Sequence, residues 1–216
     1  VIVTALDPAR SADVQGIARV HAEQLPDSPV VLLGMRFARS FYYDALVRAG
    51  LVEASICRNE DRVVGFISWT KQPLGMMTQG IRRHPLRLVT SIGTGLIARP
   101  ASIREVLLVV RMMRDRRGEE SGGALPARAV EVLSLAVEPA AQSAVPEGGT
   151  SRVTVRLFEH MTDRLRADGI MHLYFMVQPR NLASNLFCSS LGCRLEKIRQ
   201  AGHDVHRYHY TIPNVA

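Results

Sequence analysis

At 216 residues, with 47% hydrophobic and 22% charged side chains, the chain has the composition of a globular domain with ample length for a core, which excludes a disordered or low-complexity class. Its three cysteines, Cys57, Cys188 and Cys193, form no CxxC pair, which argues against a disulfide framework and against a zinc site. The formal net charge of +7 is local: nine arginines between positions 81 and 117 stand against Glu105 and Asp115, and the rest of the chain is neutral.

That basic stretch speaks only to what it touches, and no nucleic-acid partner is expected from it. The opening residues, VIVTALDPARS, show no basic stretch followed by an apolar one, so no secretory signal is expected. No apolar run reaches the length of a spanning helix, and a reducing, cytoplasmic setting is expected.

In chain order, residues 2–6 read as a short strand. A helix opens near 8–13, with Val14, Ile17, Ala18 and His21 on one face, and stops before Pro26. LPDSPVVLLG reads as a proline-bounded connection. Residues 35–49 read as a second helix whose inward positions include Phe37, Phe41 and Ala45, with Gly50 as its stop. Two strands, 52–58 and 62–69, flank Asn59, Glu60 and Asp61, a hairpin signal. Residues 71–126 read as an insertion with two helical segments, 85–98 and 102–116, and a flexible GEESGG turn. In the second of these, apolar residues cover most of the surface and arginines hold a narrow stripe. Its apolar face must be buried, by packing on the domain, by dimerisation or, less favoured, against anionic lipid.

The stretch 129–169 organises the rest. Val130, Val132, Leu133, Leu135, Ala136 and Val137 form a nearly unbroken apolar run stopped by Pro139, the pattern of a central strand covered on both faces. A small-residue loop follows. Val153, Leu157, Met161 and Leu165 then recur at helical spacing up to Gly169. Gly148, Gly149 and Ser151 leave the first turn of that helix open, so its free N–H groups and dipole suit a phosphate or pyrophosphate. After it come a strand at 170–177, a helix capped by Asn181 and ending at Leu191 and Gly192, and a hairpin of 194–200 and 205–212 turning at AGHD. One domain spanning 1–216 is expected, an α/β fold with a mixed sheet, helices on both faces and a helical insertion between the third and fourth strands.

Two constellations carry weak signals. His203, His206 and His209 alternate across a strand, so converging ligands and a bound metal are not expected. Ser143 lies in AAQSAV without a nucleophile elbow.

The element order and two local patterns resemble the GNAT superfamily, the GCN5-related N-acetyltransferases. Val137-Glu138-Pro139 matches the end of that family's central strand, and Gly149-Thr150-Ser151 its G-x-G/A phosphate turn, with Pro146 where a Gln or Arg is usual. Asn181, Phe187, Leu191 and Gly192 match the pattern N-x-x-A-x-x-L-Y-x-x-x-G-F, in which Ser184, Cys188 and Cys193 replace Ala, Tyr and Phe. LPDSPVVLLGMRFARSFYYDAL is similar to the first two helices of a GNAT subgroup.

The resemblance implies an acyl-CoA N-acyltransferase fold with acetyl-CoA, or another acyl-CoA, as co-substrate, a small-molecule amine as acceptor and no metal. Main-chain groups at Leu135, Ala136 and Val137 would pair with the pantetheine arm, and Gly148 to Ser151 with Asn181 would hold the cofactor. Glu131 would take the amine proton; otherwise it is a salt-bridged strand residue. Cys188 stands where a tyrosine usually protonates the leaving thiolate; otherwise it is a small apolar filler, and solvent, Tyr174, Tyr208 or Tyr210 supplies the proton. Tyr42 or Tyr43, with Phe41 as core, and Tyr174 would border the acceptor, while His172 and Tyr174 share a strand face. A catalytically silent acyl-CoA-binding module, and an interaction protein docking through its basic arm, are the competing classes.

Overall fold

The structure is a computed structural model; it describes residues 1–98, 128–142, 152–200 and 202–213. The element order is β1 (Ile2–Ala5), α1 (Ser11–Gln24), α2 (Pro29–Leu32), α3 (Phe37–Ala45), α4 (Leu46–Arg48), β2 (Glu53–Asn59), β3 (Arg62–Thr70), α5 (Met76–Arg83), α6 (Pro85–Ala98), β4 (Val130–Val137), α7 (Pro139–Gln142), α8 (Val153–Ala167), β5 (His172–Val177), α9 (Leu182–Ser190), β6 (Arg194–Gln200) and β7 (His203–Thr211). Among the described residues seven strands form one mixed sheet in the order β1-β2-β3-β4-β5-β7-β6, in which only the neighbours β4 and β5 run parallel.

The α/β class and the helices on both faces are as the sequence predicts. On one face α1 and α3 close a core around Ile17, Phe37, Phe41, Tyr43, Leu46, Ile56 and Phe66. On the other, α8 and α9 close a second core around Ile67, Trp69, Leu157, Met161, Phe158 and Phe175. Gly169, at φ +70°, ends α8 as expected of a glycine after a helix.

Five local expectations are corrected. The connection before α3 contains a helical turn, because Ser28 caps it, its hydroxyl accepting from the Val31 N–H at 3.3 Å. The second helix is wound mostly as a π-helix: the Leu46 N–H reaches back five residues to the Phe41 carbonyl. The insertion opens with an unforeseen helix, α5, where Gly80 lies against Leu46 and Phe41 so closely that a Cβ would not fit. The small-residue loop after β4 begins with the turn α7, and Gln200 pairs with His203, so the last hairpin turns more tightly than AGHD. The arginine-striped segment 102–116 and the GEESGG turn lie outside the described residues. Among the described residues no helix is long and apolar enough to cross a membrane.

Candidate active site

The central strand β4 is held differently along its two halves. Its first residues pair with β5, Val130 with Leu173, Glu131 with Tyr174 and Val132 with Phe175, and the ladder ends there. Beyond Val132 it pairs with β3 alone, up to Gly65 with Val137. The register shifts between Ser68 and Trp69, opposite Ser134 and Val132, which leaves Leu133 as the extra residue of a bulge. Leu133, Ser134 and Leu135 are half-buried inside a strand otherwise buried along its length. The second half of β4 thus offers main-chain donors and acceptors along a notch between diverging strands.

The end of that half is pinned. Glu138, the middle residue of the V-E-P sequence, is 9% exposed. Its carboxylate accepts from Arg19 Nη1 at 2.6 Å and from Arg62 Nη2 at 3.0 Å, and its N–H donates to the Val64 carbonyl at 2.8 Å. Carboxylate and guanidinium are charge-assisted partners, so β4 is tied to α1 and β3 at the point where the chain turns into the candidate phosphate loop.

Strand alternation assigns the faces. Val130 and Val132 lie in the α8/α9 core, so Glu131 between them points to the α1/α3 side. Leu173 and Phe175 flank Tyr174 in the same way. The Tyr174 hydroxyl donates to Glu131 Oε2 at 3.3 Å, and both side chains are buried, at 4% and 5% exposure. The register also sets Thr70 opposite Glu131 and Ser68 opposite Ser134. The register thus groups hydroxyl-bearing residues on the strands around Glu131; the Tyr174 hydroxyl bonds to it, and the Thr70 hydroxyl donates to the Leu51 carbonyl at 2.8 Å. The sequence reading finds Glu131 and Tyr174 but not Ser68, Thr70 or Ser134. Their signal is a polar residue interrupting an apolar strand run, and only the register shows that the interruptions meet.

Behind this group lies a second polar contact inside the α1/α3 core. His21 is fully buried, with Nδ1 2.5 Å from the Tyr43 hydroxyl and Nε2 2.8 Å from the Ser28 hydroxyl. Burial lowers its pKa to about 4, so the ring is neutral at pH 7. Burial also raises the Tyr43 phenol well above its ordinary range. Tyr42 and Tyr43, one of which the sequence assigns to the acceptor, are both enclosed, at 4% and 0% exposure. The reason is the wider winding of α3, which turns three consecutive aromatic residues, Phe41 to Tyr43, into the core where a 3.6-residue period turns one away.

Of the other predicted residues, Asn181 caps α9 with its side chain, accepting from the Ser184 N–H at 3.1 Å. Cys188 is 1% exposed within the α8/α9 core. Contact with the Cys193 thiol, and then burial, holds its pKa above the ordinary cysteine range. That placement is the one a small apolar filler takes, away from the notch face that carries Glu131. Leu135, Ala136 and Val137 occupy the half of β4 that β5 leaves unpaired. Gly148, Gly149, Thr150 and Ser151 lie outside the described residues, as does Ser143.

Tyr208 donates to Asn185 Oδ1 at 2.9 Å, which fixes its hydroxyl to α9. His206 and His209 bond separately: His206 Nδ1 lies 2.7 Å from Asn185 Oδ1, and His209 Nε2 lies 2.9 Å from Glu196 Oε2.

The whole fold can be set beside solved structures. No family model matches this chain, and no curated protein matches it. Solved structures do. An aminoglycoside 6'-N-acetyltransferase complexed with coenzyme A superposes with a TM-score of 0.58 at 10% identity, over 100% of this chain and 99% of that one. A GNAT-family protein from Desulfovibrio desulfuricans gives 0.54 at 12% identity, over 98% and 100%. The yncA protein from Salmonella typhimurium, solved with its cofactor acetyl-CoA, gives 0.52 at 17% identity, over 100% and 95%. The fold is that of the GNAT acyltransferases.

Proposed function

We propose that the protein is an acetyl-CoA-dependent N-acetyltransferase acting on an amine of a small molecule. The observation that carries this reading is the opening of β4 from β5 after Val132, directly beside the buried Glu131–Tyr174 pair. The names of the similar structures, which include aminoglycoside acetyltransferases and complexes with coenzyme A or acetyl-CoA, support the co-substrate and the reaction class.

The residues fit that co-substrate. The unpaired edge of β4 around Leu135 to Val137 would hold the pantetheine amides as a neighbouring strand would, and its N–H groups would polarise the thioester carbonyl. Acetyl-CoA, when bound, supplies the activated acyl group.

The chain's part is to bring a neutral amine to it. Glu131 takes the proton from the acceptor's ammonium group, directly or through a water. Tyr174, whose hydroxyl donates to Glu131, orients that carboxylate. The amine nitrogen then bonds to the thioester carbon and gives up its extra proton to solvent, the carbon–sulfur bond breaks, and the thiolate leaves and takes a proton from solvent or a nearby hydroxyl. Nucleophile and carbonyl meet within one ternary complex, and no covalent enzyme intermediate is required.

The test is release of free CoA from acetyl-CoA in the presence of a panel of amino sugars, amino acids and peptides, alongside calorimetry with CoA. Turnover with an amine supports the enzyme. Because Cys188 is buried where the family commonly carries a tyrosine hydroxyl, a silent acyl-CoA-binding module is the second reading, and binding without turnover for any amine would favour it.

A further inference from the structure

At the sheet edge where β4, β5 and β6 begin and β7 ends, a groove of about 570 Å³ is lined by Ala129, His172, Arg194, His209, Thr211 and the turn at Gly192. The register ties this groove to the candidate active site. His209 stands directly opposite Tyr174, Arg194 stands opposite His209, and His172 lies two residues before Tyr174. By alternation these side chains fall on the sheet face that carries Glu131. Two strand spacings, roughly 10 Å, separate β7 from β4.

The charge of the groove is one-sided. His172, Arg194 and His209 are basic, and among the described lining residues none is acidic. A carboxylate beside the groove, Glu196, is already matched: Arg207 Nη1 donates to it at 3.3 Å and His209 Nε2 lies 2.9 Å away. Arg194 is exposed and makes no ion pair among the described residues. A free guanidinium beside imidazoles suits a carboxylate or phosphate, to which arginine offers a planar fork of donors, and it repels a polycation.

We propose that this groove receives the acceptor, and that the acceptor is an amine bearing an anionic group, a carboxylate or a phosphate, within roughly 10 Å of the nitrogen that is acetylated. The inference rests on the N-acetyltransferase reading and narrows it. It separates this chain from the similar structures whose names point to aminoglycosides, acceptors rich in amines.

The experiment measures kcat/KM by CoA release for three sets of acceptors: amines with a carboxylate (amino acids, dipeptides), amines with a phosphate (O-phosphoserine, O-phosphoethanolamine) and amines without an acid (polyamines, aminoglycosides). At least a tenfold preference for one of the acidic sets over the third is expected, and whichever acidic set leads identifies the anion. Arg194→Gln should raise KM for the preferred acceptor about tenfold, with kcat changing less. His172→Gln should raise it by a smaller factor, and the amide analogue of the preferred acceptor should lose most of the preference. A preference for the polyamine or aminoglycoside set, or an unchanged KM in both variants, overturns the inference and leaves the transferase reading intact. No turnover with any amine removes that reading, and this inference with it.

Discussion

The two faces of the sheet bury their histidines and their polar groups differently. On the α1/α3 face, His21 is sealed between the Tyr43 and Ser28 hydroxyls, and Glu131 is buried against Tyr174. On the α8/α9 face, aromatic rings close the core: Phe158 lies 6.2 Å from Phe175 and 5.9 Å from Phe187, centroid to centroid. His160, one polar contact on that face, is only half-buried, with Nδ1 2.8 Å from the Ser55 hydroxyl. An apolar face can close by packing alone, whereas a face that buries a carboxylate and a neutral imidazole must satisfy each with a partner. In the proposed reading the first face holds the chemistry, and the second holds the strands in place.

The sharpest way to break that contrast is Glu131→Gln. It keeps the size and the contact with Tyr174 but removes the proton acceptor. The rate should fall by a factor on the order of 100 or more at neutral pH, while acetyl-CoA affinity stays the same. Steady-state rates with calorimetry decide it, and a retained rate would move the base elsewhere. Tyr174→Phe, which removes only the orienting hydroxyl, should cost less than Glu131→Gln.

Which of these features can be read from the sequence follows from what each depends on. The strands, α1, α8 and α9 rest on local periodicity and end signals, and they stand close to where the sequence puts them. In the sequence Glu131 stands out as the one carboxylate inside a nearly unbroken apolar run, and Tyr174 shares a strand face with His172. The contact between Glu131 and Tyr174 is not legible there, since it depends on the parallel register of strands separated by α8. The burial of both Tyr42 and Tyr43 is not legible for a local reason: a π-helix breaks the 3.6-residue phase on which the face assignment rests. The helix α2 and the turn α7 are four residues each, too short for a periodic signal.

The buried His21 makes the first face sensitive to acid. Its folded pKa of about 4 lies below the ordinary value of 6.5, so the unfolded chain takes up a proton over a range in which the folded one does not. His21 therefore costs no stability above pH 6.5 and destabilises the fold progressively as pH falls toward 4, by up to about 3 kcal/mol. His160, lowered first by burial and then by Arg164, shifts in the same direction from a half-exposed position. Urea midpoints between pH 7 and 4 should fall less steeply in His21→Asn than in the wild type, and His160→Asn should change the slope less. Equal slopes in His21→Asn and wild type would show that other groups carry the acid response.

Glycines sharpen the comparison at a smaller scale. A Cβ at Gly65 would lie 3.0 Å from Val137 Cγ2 and 3.2 Å from the Ala136 carbonyl oxygen, against the open half of β4. A Cβ at Gly16 would lie 2.7 Å from Val63 Cγ2, between α1 and β3. Alanine at either position should cost about 1–3 kcal/mol by overpacking. Only Gly65→Ala should also weaken CoA binding, since it displaces the strand that borders the notch. Thermal melts and calorimetry on both variants separate the two effects, and equal CoA affinities would argue that the cofactor does not use this half of β4.

The smallest effect is expected at Cys188. Its thiol is enclosed in the α8/α9 core beside Cys193, on the face opposite Glu131, and its pKa is held above the ordinary range, so it is poorly suited to deliver a proton near neutrality. Cys188→Ala should change kcat by less than about twofold and cost about 1 kcal/mol, the removal of one small buried group. Cys188→Tyr forces a ring into closed packing among Phe187, Leu191 and the sheet, and should cost more than alanine without raising the rate. A tenfold fall in kcat for alanine, with partial rescue by tyrosine, would put the thiol in the reaction. It would also show that the apolar face contributes to catalysis, and the contrast between the two faces would fail there.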